Sequence, residues 1–213
     1  MEIGSQQHYW DNVGGEKRFA HPLRRDWLAS HFPVGHRILD CGSGYGRILG
    51  ELAQHGYQNT VGADFSGGML RRCRQLYPDL PLVQAVGERL PFADGSFDVV
   101  LLFAVLTAMP MEDQQCALFA EVQRVLRRGG FIYISDLLLN TDRRNVDRYE
   151  QFAEQFGAYG IFQLPEGVIF RHHSEEWIQS LTAAFNCLAY ESFTAQTMNG
   201  HSSAAFQYLG RLR

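Results

Sequence analysis

The chain has 213 residues, 46% hydrophobic and 20% charged, with a formal net charge of −4 at neutral pH. A chain of this length buries roughly 70% of its unfolded surface, so its core needs no disulfide or metal staple. No apolar run is long enough to cross a bilayer and no basic start leads into an apolar stretch, so neither a membrane span nor a secretory signal is expected.

From about residue 36, short β-rich runs alternate with helical patterns. Residues 37–41 have strand length and run into glycines, and residues 47–55 place Ile48, Leu49, Leu52 and Ala53 at helical spacing. Residues 60–63 predict a second strand, and 68–76 a second helix stopped by Pro78. Residues 82–86 predict a third strand. Phe97–Phe103 is apolar after Asp98, as a strand buried on both faces should be. Residues 113–127 predict a long amphipathic helix capped by Gly129 and Gly130, and 131–135 a fifth strand.

The rhythm then changes. Tyr149, Phe152, Phe156 and Tyr159 share the spacing of one helix face. Ser174 reads as an N-cap, with Glu175 and Glu176 in the first turn and Trp177, Ile178, Leu181 and Phe185 as a buried stripe. Residues 188–193 and 204–209 end the chain as two β-runs joined by a turn. These elements predict one α/β domain: a Rossmann-like, doubly wound, seven-stranded sheet, mostly parallel with an antiparallel C-terminal hairpin. Its parts are an N-terminal lid with helices (1–35), a ligand-binding core (36–136), an insertion (137–173), and a C-terminal helix and hairpin (174–213).

Four scattered cysteines, Cys41, Cys73, Cys116 and Cys187, lack CxxC or finger spacing, which points to a reduced, cytoplasmic setting and to no metal site. The acidic balance argues against a nucleic-acid partner, and Arg71, Arg72 and Arg74 read as a solvated helix face.

The chemistry concentrates where Cys41 closes a strand and Gly42-Ser43-Gly44-Tyr45-Gly46 opens a helix. Glycines there let the backbone bend sharply and approach a ligand closely. Pyrophosphate cofactors bring negative charge to such a turn. Asp40 immediately before the loop suits a cationic group instead, although taken alone it equally suits a loop cap. Asp64, 18 residues beyond Gly46, ends the second strand, where a carboxylate can accept from ribose hydroxyls or begin a helix.

Four segments, ILDCGSGYGR (38–47), VGADFSGGML (61–70), ERLPFADGSFDVVLL (88–102) and EVQRVLRRGGFIYISD (121–136), follow in order. Together they resemble the motifs of class I S-adenosylmethionine-dependent methyltransferases, in the small-molecule branch typified by ubiquinone and menaquinone biosynthesis enzymes. The resemblance implies S-adenosyl-L-methionine as cofactor and S-adenosyl-L-homocysteine as product. It puts Asp40, Gly42, Ser43, Gly44 and Gly46 at the methionine end, Asp64 on the ribose, Phe65 and Met69 beside the adenosine, and Gly87 and Glu88 by the adenine. Phe103 and Ala104 would end the fourth strand at the cofactor. Tyr9, in a Tyr-Trp segment, would fold over it as a lid.

Two departures stand out. Relatives commonly carry an Asp for the adenine amino group where this chain has Val86, and often a histidine after the fourth strand where it has Thr107-Ala108.

The implied reaction is an in-line displacement that needs positioning more than a protein nucleophile. Its acceptor is expected to be a small molecule, with His172 and His173 as candidate bases and Arg143, Arg144 and Arg171 as candidate partners for an acidic acceptor. Competing readings are a non-catalytic binding or scaffold protein of this fold, an NAD(P)-dependent oxidoreductase, and a nucleic-acid methyltransferase. The chain has no Tyr-x-x-x-Lys pair and no Asn/Asp-Pro-Pro-aromatic motif after the fourth strand, which disfavours the last two. Oligomeric state has no signature in the sequence.

Overall fold

Seven strands lie in the order β3-β2-β1-β4-β5-β9-β8 in a computed structural model that describes residues 3–12, 17, 18 and 20–213, with side chains from residue 6 on. The remaining part of the expected N-terminal lid (residues 1, 2, 13–16 and 19) lies outside the described residues.

Strands β1 (Ile38–Cys41), β2 (Thr60–Asp64), β3 (Leu82–Gln84), β4 (Phe97–Phe103) and β5 (Leu126–Leu137) run parallel. Strand β9 (Ser202–Leu212) pairs antiparallel with β5, and β8 (Phe185–Gln196) pairs antiparallel with β9 at the sheet edge. This is the expected doubly wound, mostly parallel sheet with a terminal hairpin. The helices are α1 (Ile3–Asn12), α2 (Arg25–His31), α3 (Arg47–Gln54), α4 (Gly67–Leu76), α5 (Glu112–Val125), α6 (Arg143–Phe156) and α7 (Glu175–Leu181).

Strand β4 shows why its sequence is continuously apolar. Val100 and Leu102 join the core formed with α5 and α7, whereas Val99, Leu101 and Phe103 join the core formed with α2 and α3. Alternate side chains of one strand thus serve both layers.

Three local expectations need correction. Helix α5 ends at Val125 and passes directly into β5, so Gly129 and Gly130 are not its cap. They sit in a bulge: Leu126 pairs with Phe97, and the regular ladder resumes at Phe131 opposite Val99. Gly129 takes φ +70°, which lets the chain rejoin the sheet. Phe185 starts β8 instead of extending the α7 stripe. Helix α6 stops at Gly157 (φ +66°), which leaves Tyr159 beyond it and half exposed.

The insertion is more ordered than its sequence pattern suggests. After α6 it forms a separate antiparallel hairpin of β6 (Ile161–Gln163) and β7 (Ile169–Arg171). The hairpin holds one face of α1, where Gln6 pairs with the backbone of Ile169 through both amide atoms (2.7 and 3.2 Å). The other end of α1 is tied to α4, because Asp11 accepts from Gly68 N–H at 2.9 Å and from the Ser66 hydroxyl at 2.7 Å. The N-terminal helix is therefore clasped between core and insertion, across the ends of the parallel strands.

Candidate functional site

In an open α/β sheet, ligands bind beyond the carboxyl ends of the strands where the strand order reverses. Here the reversal falls between β1 and β4, and a cleft of about 1220 Å³, counting its open mouth, lies there. Its floor is the turn after β1. Gly42 N–H and Ser43 N–H both donate to Ala63 O (2.7 and 3.0 Å), which carries the β1–β2 pairing past the strand end. Gly42 has φ +78°, and a Cβ there would stand 2.5 Å from the Val105 side chain. Only glycine fits that turn without displacing the chain after β4.

The two acids differ in their bonding. Asp64 is tied on both sides: one oxygen accepts from Gly44 N–H and the other from Ser66 N–H, each at 2.8 Å. Burial pushes its pKa up to about 6 against the pull of those N–H groups. Asp40 is buried, and neither of its oxygens has a hydrogen-bond partner among the described residues. Burial lifts its pKa to about 7, opposed by Arg47 and helped by Asp64. The Ser43 hydroxyl is likewise buried and unpartnered. Native proteins rarely leave such groups unsatisfied, so these atoms mark where a polar ligand belongs.

The cleft gathers most of the expected residues. Asp40, Gly42, Ser43 and Gly44 line one side, Asp64, Phe65 and Met69 another, and Gly87, Glu88, Phe103 and Ala104 complete it. Two expected residues stand outside its wall. Gly46 starts α3 with φ +82°, and its missing side chain makes room for Cys73, whose Sγ would stand 2.3 Å from a Cβ. Tyr9 packs edge-on against Trp10 and Phe170, with its ring away from the cleft. The i, i+4 pair Gln6 and Trp10 faces the cleft in its place, since neighbouring side chains on a helix diverge by about 100°. Val86 is part of the wall as an apolar surface.

A second cavity adjoins the first and shares Trp10, His21 and Ala104 with it. Ala104 has φ +56°, the one left-handed non-glycine among the described residues, at the junction of the two. The turn that follows is held by Asp136, a buried acid that accepts from the N–H groups of Leu106, Thr107 and Leu137. His21 is buried with Nδ1 2.9 Å from Ser135 Oγ, and burial followed by Arg47 lowers its pKa to about 4.

The two candidate bases separate. His172 lines the second cavity, and His173 lines neither. The His173 ring donates from Nδ1 to Leu137 O at 3.2 Å and accepts at Nε2 from Gln115 at 2.9 Å. Burial, then Arg171, pushes its pKa down to about 3. With both nitrogens engaged it is a structural tie, which corrects its assignment as a base. His172 Nδ1 lies 2.5 Å from the Tyr149 hydroxyl oxygen, which also accepts from Asn140 N–H at 3.4 Å. The two groups share a hydrogen bond, and burial, then Arg148, holds the imidazole neutral. Its Nδ1 is thus occupied by Tyr149 at the wall of the second cavity.

Of the candidate arginines, Arg171 is buried and bound to Glu112 at 2.9 Å, and Arg143 pairs with Asp147 on the surface. Only Arg144 reaches the second cavity, one helical turn before Arg148, which the sequence reading passed over. The 144/148 spacing on the Tyr149 helix was the available signal. His21 had none, because it sits in an irregular segment and is brought in by tertiary packing. Among the described residues, no helix is long and apolar enough to cross a membrane.

Residues 39–134 match the family model described as a methyltransferase domain. The chain is 38% identical over 126 residues to an uncharacterized methyltransferase of Synechocystis, covering 59% of this chain and 57% of that protein. It is also 38% identical over 103 residues to a demethylmenaquinone methyltransferase of Beutenbergia cavernae, covering 48% and 41% respectively. The chain thus spans about half the length of these curated relatives. Its fold matches the crystal structure of an S-adenosylmethionine-dependent methyltransferase from Methanosarcina mazei with a TM-score of 0.84, at 23% identity over 89% of this chain and 98% of the other.

Proposed function

We propose, from the match of residues 39–134 to the methyltransferase-domain model, that the chain is a class I S-adenosylmethionine-dependent methyltransferase that transfers the cofactor's methyl group to a small molecule seated in the second cavity. The observation that carries this reading is the pairing of a buried, unpartnered Asp40 in one cavity with a second cavity that opens beside it at Trp10, His21 and Ala104.

S-Adenosylmethionine, when bound, supplies an electrophilic methyl group on a sulfonium. The Asp40 carboxylate and Ser43 hydroxyl fit the cationic methionine end, and Arg47 on the same wall suits its carboxylate. Asp64 retains a free lone pair on each oxygen for the ribose hydroxyls. Phe65, Met69 and Val86 give the adenine an apolar slot, with Glu88 and the backbone around Gly87 at its edge. Gly42 and Gly44 let the backbone approach closely, and Phe103 and Ala104 close the wall toward the acceptor. Gly46 supports the turn from behind. Tyr9 supports Trp10, and α1 closes over both cavities and excludes water.

Catalysis then rests on holding acceptor and methyl group in line at roughly 3–3.5 Å. His21 at the junction is kept neutral, so it can accept a hydrogen bond from the acceptor's nucleophilic group. The demethylmenaquinone methyltransferase relative supports a small-molecule acceptor. The test is a screen of small thiols, phenols, quinols and carboxylic acids for release of S-adenosylhomocysteine. Turnover with at least one of them is expected. Cofactor binding without turnover, together with capture of a protein partner, would support a scaffold role, and co-purified nucleic acid that becomes methylated would overturn the acceptor class.

A further inference from the structure

The second cavity contains an arginine that forms no ion pair with any acid among the described residues. Arg148 lies half-buried on its wall with its guanidinium 3.5 Å over the Phe162 ring. Its Nε is buried without a hydrogen-bond partner; the Tyr149 hydroxyl accepts from the guanidinium and Asp142 acts on it only at longer range, and no described acid forms an ion pair with it. A partly desolvated guanidinium in this state is costly unless a ligand completes its hydrogen bonds. Arg144 stands one turn away on the same helix and wall. Its one close acid, Asp142 at 3.9 Å, is exposed and occupied in capping α6 through Asn145.

None of the described side chains lining this cavity is acidic. His172 adds a neutral imidazole whose Nδ1 is tied to the Tyr149 hydroxyl. The remaining wall is aromatic, with Trp10, Phe162 and Phe170. We infer that the cavity is an oxyanion subsite, taking an acceptor whose carboxylate or phosphate lies on Arg148 and Arg144 and whose aromatic body lies on Trp10, Phe162 and Phe170. Arginine suits this role because its planar fork binds both oxyanions in bidentate fashion while its face stacks on a ring. Calling the ligand an acceptor rests on the methyl transfer proposed above; the oxyanion preference itself does not.

The test uses three probes with one aromatic body, 1-naphthoate, 1-naphthyl phosphate and 1-naphthamide, titrated calorimetrically into the full chain with and without S-adenosylhomocysteine. At least one anion should bind about tenfold or more tightly than the amide, and comparison of the two anions separates carboxylate from phosphate. Arg148→Met should bring the anion-to-amide ratio to within about twofold of unity and leave the S-adenosylhomocysteine affinity unchanged. Arg148→Lys, which keeps the charge, should retain part of the preference. If Arg148→Met does not fold, Arg144→Gln on the exposed side should still lower the ratio about two- to fivefold. Equal binding of the three probes, absence of binding by both anions, or a preference unchanged by these substitutions overturns the subsite. If the anion preference holds but S-adenosylhomocysteine does not bind, methyl transfer falls and the subsite stands.

Discussion

The Asp64 carboxylate accepts the Gly44 N–H at 2.8 Å, joining the end of β2 to the glycine turn after β1. One residue therefore shapes the turn and holds its carboxylate at the cleft. Asp64→Asn places an amide NH2 against a backbone N–H on one side. It is expected to lower the unfolding free energy by about 1–3 kcal/mol, read from chemical denaturation with an unchanged m-value. An unaltered midpoint would show that the two N–H bonds contribute nothing to the fold.

Asp40 predicts a pH dependence with a definite sign. Its folded pKa of about 7 lies above the ordinary carboxyl value, so the neutral form prevails in the empty cleft at mildly acid pH. Stability linked to this group is therefore present at low pH and lost as pH rises through about 7. A cationic ligand group reverses the preference, so S-adenosylmethionine affinity should climb between about pH 6 and 8. Asp40→Asn should flatten that climb and weaken binding above pH 7. An Asp40→Asn profile parallel to that of the parent protein contradicts this.

Gly46 offers a stability test independent of ligand. A Cβ there meets Cys73 Sγ at 2.3 Å in a left-handed backbone, so both sterics and strain oppose it. Gly46→Ala should cost about 2 kcal/mol or more, a fall in Tm of roughly 4–8 °C for a chain of this size. Replacing Gly56 by Ala is the comparison: it shares the positive φ but has only Val34 within reach at 3.8 Å, so its loss should be smaller.

Much of the core is legible in the sequence because its signals are local. The β4 run, the glycine turn and the two acids each state their role within a few residues, and Asp40, Ser43, Gly44 and Asp64 do meet in one cleft. What was not readable depends on long-range packing. His172 and His173 are adjacent and chemically alike in sequence, yet Tyr149 engages one and Gln115 the other, from helices far apart in the chain. The Gly129-Gly130 pair looked like a helix cap because glycines commonly follow helices, whereas the register between Phe97 and Phe131 makes it a bulge. Trp10 rather than Tyr9 faces the cleft because the facing of a short helix is set by its clasp to Ile169 and Gly68.

That clasp predicts a rate effect. Asp11→Ala removes the bonds from Gly68 and Ser66, and Gln6→Ala removes the pair with Ile169. Either substitution should speed S-adenosylhomocysteine dissociation, by about three- to tenfold if each clasp contributes close to 1 kcal/mol. Stopped-flow displacement reads this directly. Association rates that change while dissociation rates do not would show that α1 does not close over the bound ligand.

The proposed function requires that the cleft between β1 and β4 hold S-adenosylmethionine with Asp64 on its ribose. Calorimetric titration of the full chain with S-adenosylhomocysteine and, separately, with NADH tests it most directly, with Asp64→Ala as the paired variant. The predicted result is saturable S-adenosylhomocysteine binding that weakens about tenfold or more in Asp64→Ala, with no NADH binding. Tight NADH binding without S-adenosylhomocysteine binding, or full affinity for S-adenosylhomocysteine in Asp64→Ala, would contradict it.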